Sequence, residues 1–541
     1  MSASTETIAS RFDTAARRYG TRPFLRVLPE TAGIYGIAAG DLSYAAARER
    51  VDARAADYRA AGYGPGVRVG LLLLNRPDFV LQFLALNAVG ASIVPINPDL
   101  RAAELEYLID HSEMAAAVVV PERIADLQAA GTTVGAALAV TGPAEAPAPL
   151  DLERSEVALG PETEAAVLYT SGTTGKPKGC VLTNRYFLHA GDWYVGLGGL
   201  CDLGQGEAVM LTPLPLAHMN ALACSVMGMI SAGGCLVMLD RFHPRSWWDS
   251  VRLSGATCLH YLGVMPAILM QAEPADTNRD HTVRFGFGAG VGPQLHAAFE
   301  ARFGFPLIES WAMTEVGVGG CITANREPRK IGSSCFGKPG PEVEVRIVTE
   351  SGAGAGVDEP GELLVRRAGP DPAYGFFRDY LKDAAATADV WRGGWFHTGD
   401  VVRADADGDL HFVDRKKNVI RRSGENIAAL EVEEVLKQYA DIDAAAVAPV
   451  QDPIRGEEVF ACVTLKIEAD TAARAEIALA LQAWCLQRLA YYKAPGYIAF
   501  VEALPLTSTN KVQRGELKAL AQRLEAAGDC HDLRRGKRRA A

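Results

Sequence analysis

Leu168-Tyr169-Thr170-Ser171-Gly172-Thr173-Thr174-Gly175-Lys176-Pro177-Lys178-Gly179 is the stretch from which the rest of the chain can be read. It packs four Ser/Thr hydroxyls, three glycines and two lysines into twelve residues. An apolar run, Ala165 to Tyr169, leads in, and a second, Cys180 to Leu182, leads out. The spacing predicts strand, loop, strand. Glycines let a loop turn successive backbone N–H groups toward one point, and such a nest attracts an anion. The hydroxyls and lysines add donors and positive charge, so the expected ligand is a polyphosphate. The loop is not a Walker A motif, which needs G-x-x-x-x-G-K-[ST] opening a helix. Gly172 and Gly175 stand too close together, and Pro177 follows Lys176 where Ser or Thr belongs. An ordinary P-loop kinase or ATPase is therefore disfavoured.

Outward from the loop, short apolar runs alternate with helical patterns. Val69 to Leu74, Ile93 to Ile96 and Ala116 to Val120 read as strands, with helices at Pro77 to Val89 and Ala102 to Ile109. In the first of these helices Phe79, Val80, Phe83, Leu84 and Leu86 are expected on the buried side. The same rhythm returns after the loop at Val209 to Leu211, Cys235 to Leu239, Thr257 to Leu262, Val283 to Phe287 and Leu307 to Glu309. Such alternation predicts an α/β fold of two parallel-rich sheets covered on both faces, with ligands beyond the carboxyl ends of the strands. From about Lys330, dense glycine and proline with alternating runs at Glu342 to Val348 and Gly361 to Arg366 predict a small β-barrel or meander. Asp414-Arg415-Lys416-Lys417-Asn418 reads as a linker to a compact α+β region. The expected organisation is an N-terminal domain of 1–413 (halves 1–165 and 166–330, β-barrel 331–413), a hinge at 414–417, and a C-terminal domain of 418–541.

At 541 residues the chain is too long for one core. A net charge of −11 argues against a general nucleic-acid binder. The basic end, Arg534-Arg535-Gly536-Lys537-Arg538-Arg539, reads as a disordered tail. Ten scattered cysteines form no C-x-x-C pair, which fits neither a zinc site nor a disulfide framework and agrees with a reducing cytoplasm. Met1 to Arg11 lacks a basic start followed by an apolar core, so no signal peptide is expected. Ala221 to Leu239 is uncharged and long enough to span a bilayer, but Gly233-Gly234 splits it. It reads as a buried helix, a glycine turn and a buried strand, so stable membrane insertion is not expected.

Further motifs follow the loop in order. They are ESWAMTE (Glu309 to Glu315), HTGD (His397 to Asp400), DRKKNVIRRSGENI (Asp414 to Ile427) and LPLTSTNKVQR (Leu504 to Arg514). With YTSGTTGKPKG they resemble the motifs of the adenylate-forming superfamily: acyl- and aryl-CoA ligases, luciferases and non-ribosomal peptide adenylation domains. Phe412 to Glu433 looks most like the carnitine/crotonobetaine-CoA ligase branch. The resemblance implies ATP, Mg²⁺ and coenzyme A, a small carboxylic acid as substrate, and a C-terminal domain that rotates about Lys417. A homodimer is compatible with it.

The resemblance also implies residue roles. Thr170, Ser171, Gly172, Thr173, Thr174, Gly175 and Lys178 would wrap the β- and γ-phosphates. Thr314 would hydrogen-bond the α-phosphate. Glu315, with Thr170, would hold Mg²⁺, a hard cation that takes oxygen ligands. Gly288, Ala289 and Gly290, with Ser310, Trp311, Ala312 and Met313, would form the adenine slot. Asp400 and Arg415 would hold the ribose. Lys511 would bridge the substrate carboxylate and the α-phosphate. Ser423, Gly424 and Arg422 would line the CoA path. His218, Met219, Asn220, Tyr261, Phe287 and Gly317 are the candidates for the acid pocket, and the aromatic faces of Tyr261 and Trp311 suit a quaternary ammonium. Trp311 stands where many relatives have tyrosine, losing a hydroxyl. Ala312 replaces a usual glycine, and Asn510 replaces the glycine before the lysine. The expected activity is ATP-dependent acid–CoA ligation through an acyl-adenylate. The alternative is a free-standing adenylation enzyme that loads a carrier protein. A non-catalytic adenylate binder is disfavoured by the presence of Glu315 and Lys511.

Overall fold

The computed structural model describes residues 5–151, 157–170, 176–415, 419–466, 469–505 and 512–538, without the side chains of 414 and 415. Ser171 to Gly175, Lys417, Asn510 and Lys511 lie outside the described residues. The chain divides into two compact units. One comprises Met1–Pro98, Ile109–Leu168 and Gly179–Asp414; the other comprises Asp99–Leu108, Tyr169–Lys178 and Arg415–Ala541.

The strand–helix rhythm of the sequence is realised as two mainly parallel sheets in the first unit. One runs through Asp379–Tyr380, Lys178–Thr183, Glu164–Thr170, Ser92–Pro95, Arg68–Leu72, Ala116–Val119 and Ala139–Thr141. The other runs through Ile322–Thr323, Leu307–Trp311, Phe285–Ala289, Cys258–Leu262, Val209–Thr212, Cys235–Met238, Pro23–Val27 and Gly40–Ser43. Its inner strands are parallel, so their carboxyl ends point the same way. The helix Pro77–Val89 begins at its proline and ends on Gly90 in the left-handed region (φ +83°), as proline at the first helical position and glycine after the last one dictate. It is buried on every side rather than on one face; Gln82 accepts from Tyr58 and Asn87 donates to Asn184, which satisfies its two buried polar members. The region expected as barrel or meander forms an antiparallel sheet ordered Cys335–Gly337, Leu410–Arg415, Trp395–Ala404, Gly361–Arg367 and Val343–Val348.

The uncharged stretch resolves into a π-helix, Asn220–Ser225, an α-helix, Val226–Ala232, a left-handed Gly233 and the buried strand Cys235–Met238. Among the described residues no helix is long and apolar enough to cross a membrane. All ten cysteines are free.

Two expectations are corrected. Asp414 and Arg415 are the last residues of a strand, Leu410–Arg415, rather than open linker. The basic end is not a solvated tail. In the second unit, Arg534 lies over the Tyr497 ring and pairs with Asp532 and Asp452, and Lys537 is buried against Glu458. The sheet of that unit runs through Glu425–Ala428, Val419–Arg422, Gly456–Leu465, Tyr497–Phe500 and His531–Asp532, with Ile442–Asp452 on Gly456–Leu465.

Candidate active site

Three adjacent parallel strands of the first unit deliver the central elements of the site at their carboxyl ends. Phe285–Ala289 passes from buried Gly288 through half-buried Ala289 to exposed Gly290. A Cβ on Gly288 would lie 2.2 Å from the Tyr261 carbonyl oxygen, so only glycine allows the two strands to approach there. Gly290 has φ +83°. Glu309 on the next strand holds this turn in shape. One carboxylate oxygen accepts the Gly290 N–H (2.9 Å); the other accepts the Val291 N–H (3.1 Å) and the Tyr261 hydroxyl (2.8 Å). Burial raises the Glu309 carboxyl pKa, and the three donors oppose that shift. Glu309 was visible in the sequence only as the first letter of ESWAMTE; its role needed the register that places it beside Gly288. Tyr261 is thereby assigned to supporting this turn; its own ring is 3 % exposed.

Trp311, at the end of Leu307–Trp311, donates its indole N–H to Asp400 Oδ2 at 2.9 Å. Both are buried. The tyrosine hydroxyl lost at this position is thus replaced by another donor. Asp400 is steadied further: its N–H donates to Thr398 Oγ1 (3.0 Å), whose hydroxyl donates to the Leu363 carbonyl (2.7 Å). Ser310 turns its hydroxyl toward Thr323 (2.9 Å) and Cys321, anchoring the neighbouring edge strand. Ala312, Met313 and Thr314 are half-buried. The Thr314 carbonyl accepts from the buried Tyr186 hydroxyl (2.9 Å). Glu315, buried, accepts from the Tyr380 hydroxyl (2.8 Å), and its backbone carbonyl accepts the Phe377 N–H. Carboxylate and hydroxyl oxygens are what a hard cation takes, so Glu315 is chemically fit to hold Mg²⁺. The other acidic cluster, Asp405, Asp407 and Asp409, already surrounds the Lys330 ammonium at 2.6, 2.6 and 3.4 Å.

The acid-pocket candidates fall into two groups. Half-buried His218, buried Met219 and half-buried Asn220 follow the carboxyl end of Val209–Thr212, where PLAHM leads into the π-helix. Asn220 Oδ1 meets His260 Nδ1 at 2.6 Å. Phe287 is buried among Tyr194, His260 and Trp193, with ring centroids 5.3, 5.3 and 6.0 Å away. Gly317 is a packing position: φ is +58°, and a Cβ would lie 2.5 Å from the Tyr186 ring.

Thr170 ends Glu164–Thr170 and Lys178 opens Lys178–Thr183, each half-buried and flanking the glycine-rich motif in sequence. Beside the loop, Tyr107 donates to the Pro177 carbonyl (2.8 Å), and the Lys176 ammonium sits 5.4 Å from the centre of the Tyr107 ring. Ser423 (φ +52°) and Gly424 (φ +88°) turn the chain between Val419–Arg422 and Glu425–Ala428. Arg422 is corrected: it is 1 % exposed and paired through Nε with Glu458 Oε2 at 2.7 Å, so it does not stand at the surface to meet CoA phosphates. Arg421 beside it is exposed.

Residues 12–377 match the model of the AMP-binding enzyme family, and 431–511 match that of the AMP-binding enzyme C-terminal domain. The chain is 30 % identical over 510 residues to a crotonobetaine/carnitine–CoA ligase of Salmonella arizonae, covering 90 % of this chain and 96 % of that one. The corresponding ligase of Salmonella choleraesuis is 29 % identical over 496 residues, covering 88 % and 93 %. Among solved structures, the amide bond synthetase McbA from Marinactinospora thermotolerans is similar at TM-score 0.80 and 26 % identity, covering 96 % of this chain and 100 % of that one. A malonyl-CoA ligase solved with methylmalonyl-CoA and AMP is similar at TM-score 0.73 and 27 % identity, covering 90 % and 96 %. The o-succinylbenzoate CoA synthetase of Bacillus subtilis shares the fold at TM-score 0.79 and 23 % identity, covering 94 % and 98 %. With a family model spanning most of its length and the motif residues set as described, the chain belongs to the AMP-binding enzyme family and is an adenylate-forming, AMP-producing ligase.

Proposed function

We propose that this enzyme activates a small carboxylic acid with ATP and passes the acyl group to coenzyme A. The observation that carries the nucleotide half is the buried Trp311–Asp400 hydrogen bond: it fixes a carboxylate that can accept both hydroxyls of a ribose. The acceptor half is supported by the relatives, whose names join an acid to CoA.

A free carboxylate is a poor acyl donor because oxide is its leaving group. In the first step a substrate carboxylate oxygen bonds to the α-phosphorus, the bond to the β-phosphate oxygen breaks, and pyrophosphate leaves. Two anions must be brought together, so the protein must cancel charge and hold the reactants in line. Thr170 to Gly175 and Lys178 grip the pyrophosphate portion, Thr314 the α-phosphate, and Lys511 neutralises charge between carboxylate and phosphate. Mg²⁺ held through Glu315 would supply further neutralisation of the phosphates. Gly288 to Gly290, shaped by Glu309, receive the adenine beside Trp311. In the second step the CoA thiol attacks the acyl carbon, its proton passes to solvent, and AMP leaves. The exchange of Lys511 for the thiol path between steps is assigned to rotation of the C-terminal domain about Lys417.

The test is a panel of betaines, short and branched acids, and aromatic acids, assayed for pyrophosphate and AMP with and without CoA. CoA-dependent AMP and thioester are expected. Turnover only with a phosphopantetheinylated carrier protein would replace the proposed acceptor, and no pyrophosphate with any acid would overturn the activation step. Pyrophosphate release at full rate in Lys511→Ala would remove that residue's role.

A further inference from the structure

A buried chain of hydrogen bonds behind Asn220 fixes which way its amide faces. Tyr194 is fully buried, and among the described residues its hydroxyl meets one group, His260 Nε2, at 2.8 Å. A buried O–H needs an acceptor. Tyr194 must therefore donate, and Nε2 must be the unprotonated nitrogen. His260 is itself fully buried, and burial pushes its pKa down to about 3, so the ring is neutral. A neutral imidazole with Nε2 bare carries its proton on Nδ1. Nδ1 lies 2.6 Å from the Asn220 side chain and 2.9 Å from Ser225 Oγ. Ser225 spends its proton on the Asn220 backbone carbonyl (3.3 Å), so its oxygen also faces Nδ1–H as an acceptor. The Asn220 atom that meets Nδ1–H must then be the carbonyl oxygen, and the amide nitrogen is directed away from the ring.

That nitrogen makes no hydrogen bond with any described residue and is not buried. It opens the π-helix that follows the carboxyl end of Val209–Thr212, the end at which parallel sheets hold their ligands. A π-helical turn needs compensation for its poorer backbone geometry, and here Ser225 caps the carbonyl of Asn220 within it.

We propose that Asn220 is a specificity determinant, and His260 its positioning residue: the tethered amide donates to an oxygen on the acyl chain of the acid, distinct from the reacting carboxylate. The preferred substrates are then acids with a hydroxyl, oxo or second carboxyl group on the chain rather than plain hydrocarbon acids. This rests on the acid-activating reading above. A donor whose other end is already satisfied cannot rotate to hide, so a substrate without an acceptor leaves it dehydrated and unpaired, a cost that discriminates strongly.

The test uses pyrophosphate release with matched acids: butyrate against 3-hydroxybutyrate, and pentanoate against 4-oxopentanoate and glutarate. The wild-type kcat/KM is expected to favour at least one oxygen-bearing partner by about 10-fold or more. Asn220→Leu should bring that ratio close to one. His260→Gln places an amide near the Nε2 position and should lose the ratio. His260→Asn places one near Nδ1 and should restore most of it. Tyr194→Phe, which frees the tautomer with little change of shape, should lower it. A purely structural role predicts equal effects of His260→Gln and His260→Asn, in step with their melting temperatures; that result, or a wild-type ratio near one, overturns the inference. Wild-type enzyme that releases no pyrophosphate with any acid refutes the acid-activating reading and the inference with it. Activity confined to hydrocarbon acids refutes the inference alone.

Discussion

Trp311 and Asp400 are joined by an indole N–H···carboxylate bond of 2.9 Å, buried at the meeting of a parallel strand and an antiparallel one. Removing the donor leaves the carboxylate in place but less restrained. A hydrogen bond to a buried charge contributes roughly 1.5–3 kcal/mol. Trp311→Phe keeps an aromatic face and deletes the N–H. It is expected to lower kcat/KM for ATP by about 10-fold or more, at little change in KM for the acid. Steady-state pyrophosphate release with each substrate varied in turn checks this. Equal losses for both substrates would mean general disorder rather than a nucleotide contact.

Glu309 offers two oxygens to three donors: Gly290 N–H, Val291 N–H and Tyr261 O–H. Glutamine keeps the shape but replaces one oxygen with an N–H₂ group that must face a donor. Glu309→Gln is expected to cost about 1–3 kcal/mol, the price of one unsatisfied buried group. It should also weaken ATP binding, because Gly290 is the exposed end of the turn. Tyr261→Phe removes one donor and leaves the turn's two N–H bonds intact, so its loss should be the smaller. Urea midpoints with and without ATP measure both effects.

The parts legible in the sequence were those that local chemistry decides. Pro77 and Gly90 bound a helix by their own backbone preferences, and the alternation of apolar runs fixed the parallel sheets. What stayed hidden depends on partners far along the chain. Lys537 looks like part of a solvated basic run until Glu458, 79 residues away, is placed against it. Arg422 looks like a surface cation for the same reason. His260 sits in an apolar strand pattern that gives no hint of Tyr194 or Asn220. Trp311 reads as a tyrosine that has lost its hydroxyl, because the direction of its N–H is a tertiary fact.

Gly317 admits no side chain. Its φ of +58° is left-handed, and a Cβ would lie 2.5 Å from the Tyr186 ring and 2.7 Å from the Gly375 carbonyl oxygen. Tyr186 cannot swing aside without releasing the Thr314 carbonyl. Backbone strain and overpacking each cost about 1–3 kcal/mol. Gly317→Ala is expected to lower stability by about 2 kcal/mol or more and to reduce adenylation through displacement of Thr314. Chemical denaturation and pyrophosphate release together check this; a variant with wild-type stability would show that Tyr186 has another place to go.

Lys537 and Arg422 share one carboxylate. Glu458 accepts Lys537 Nζ at 2.5 Å on one oxygen and Arg422 Nε at 2.7 Å on the other, all three side chains being buried. One negative charge cannot compensate two positive ones, and Arg422 keeps its proton at any accessible pH. Burial and the Arg422 charge therefore pull the Lys537 amine down to about 7. In the unfolded chain a lysine holds its proton to about pH 10.4. Between these values the unfolded state binds more protons than the folded one, so this group adds stability as pH rises from about 7 to about 10. Below that window both states are protonated and its contribution is flat, at its least favourable level. Lys537→Met removes the surplus cation and leaves Arg422 and Glu458 as a matched pair. The variant is expected to be at least as stable as wild type near pH 7, with wild type gaining on it as pH rises. Urea midpoints of both proteins at several pH values across the window test this. A wild-type advantage that shrinks with rising pH would show that Lys537 is held charged in the fold.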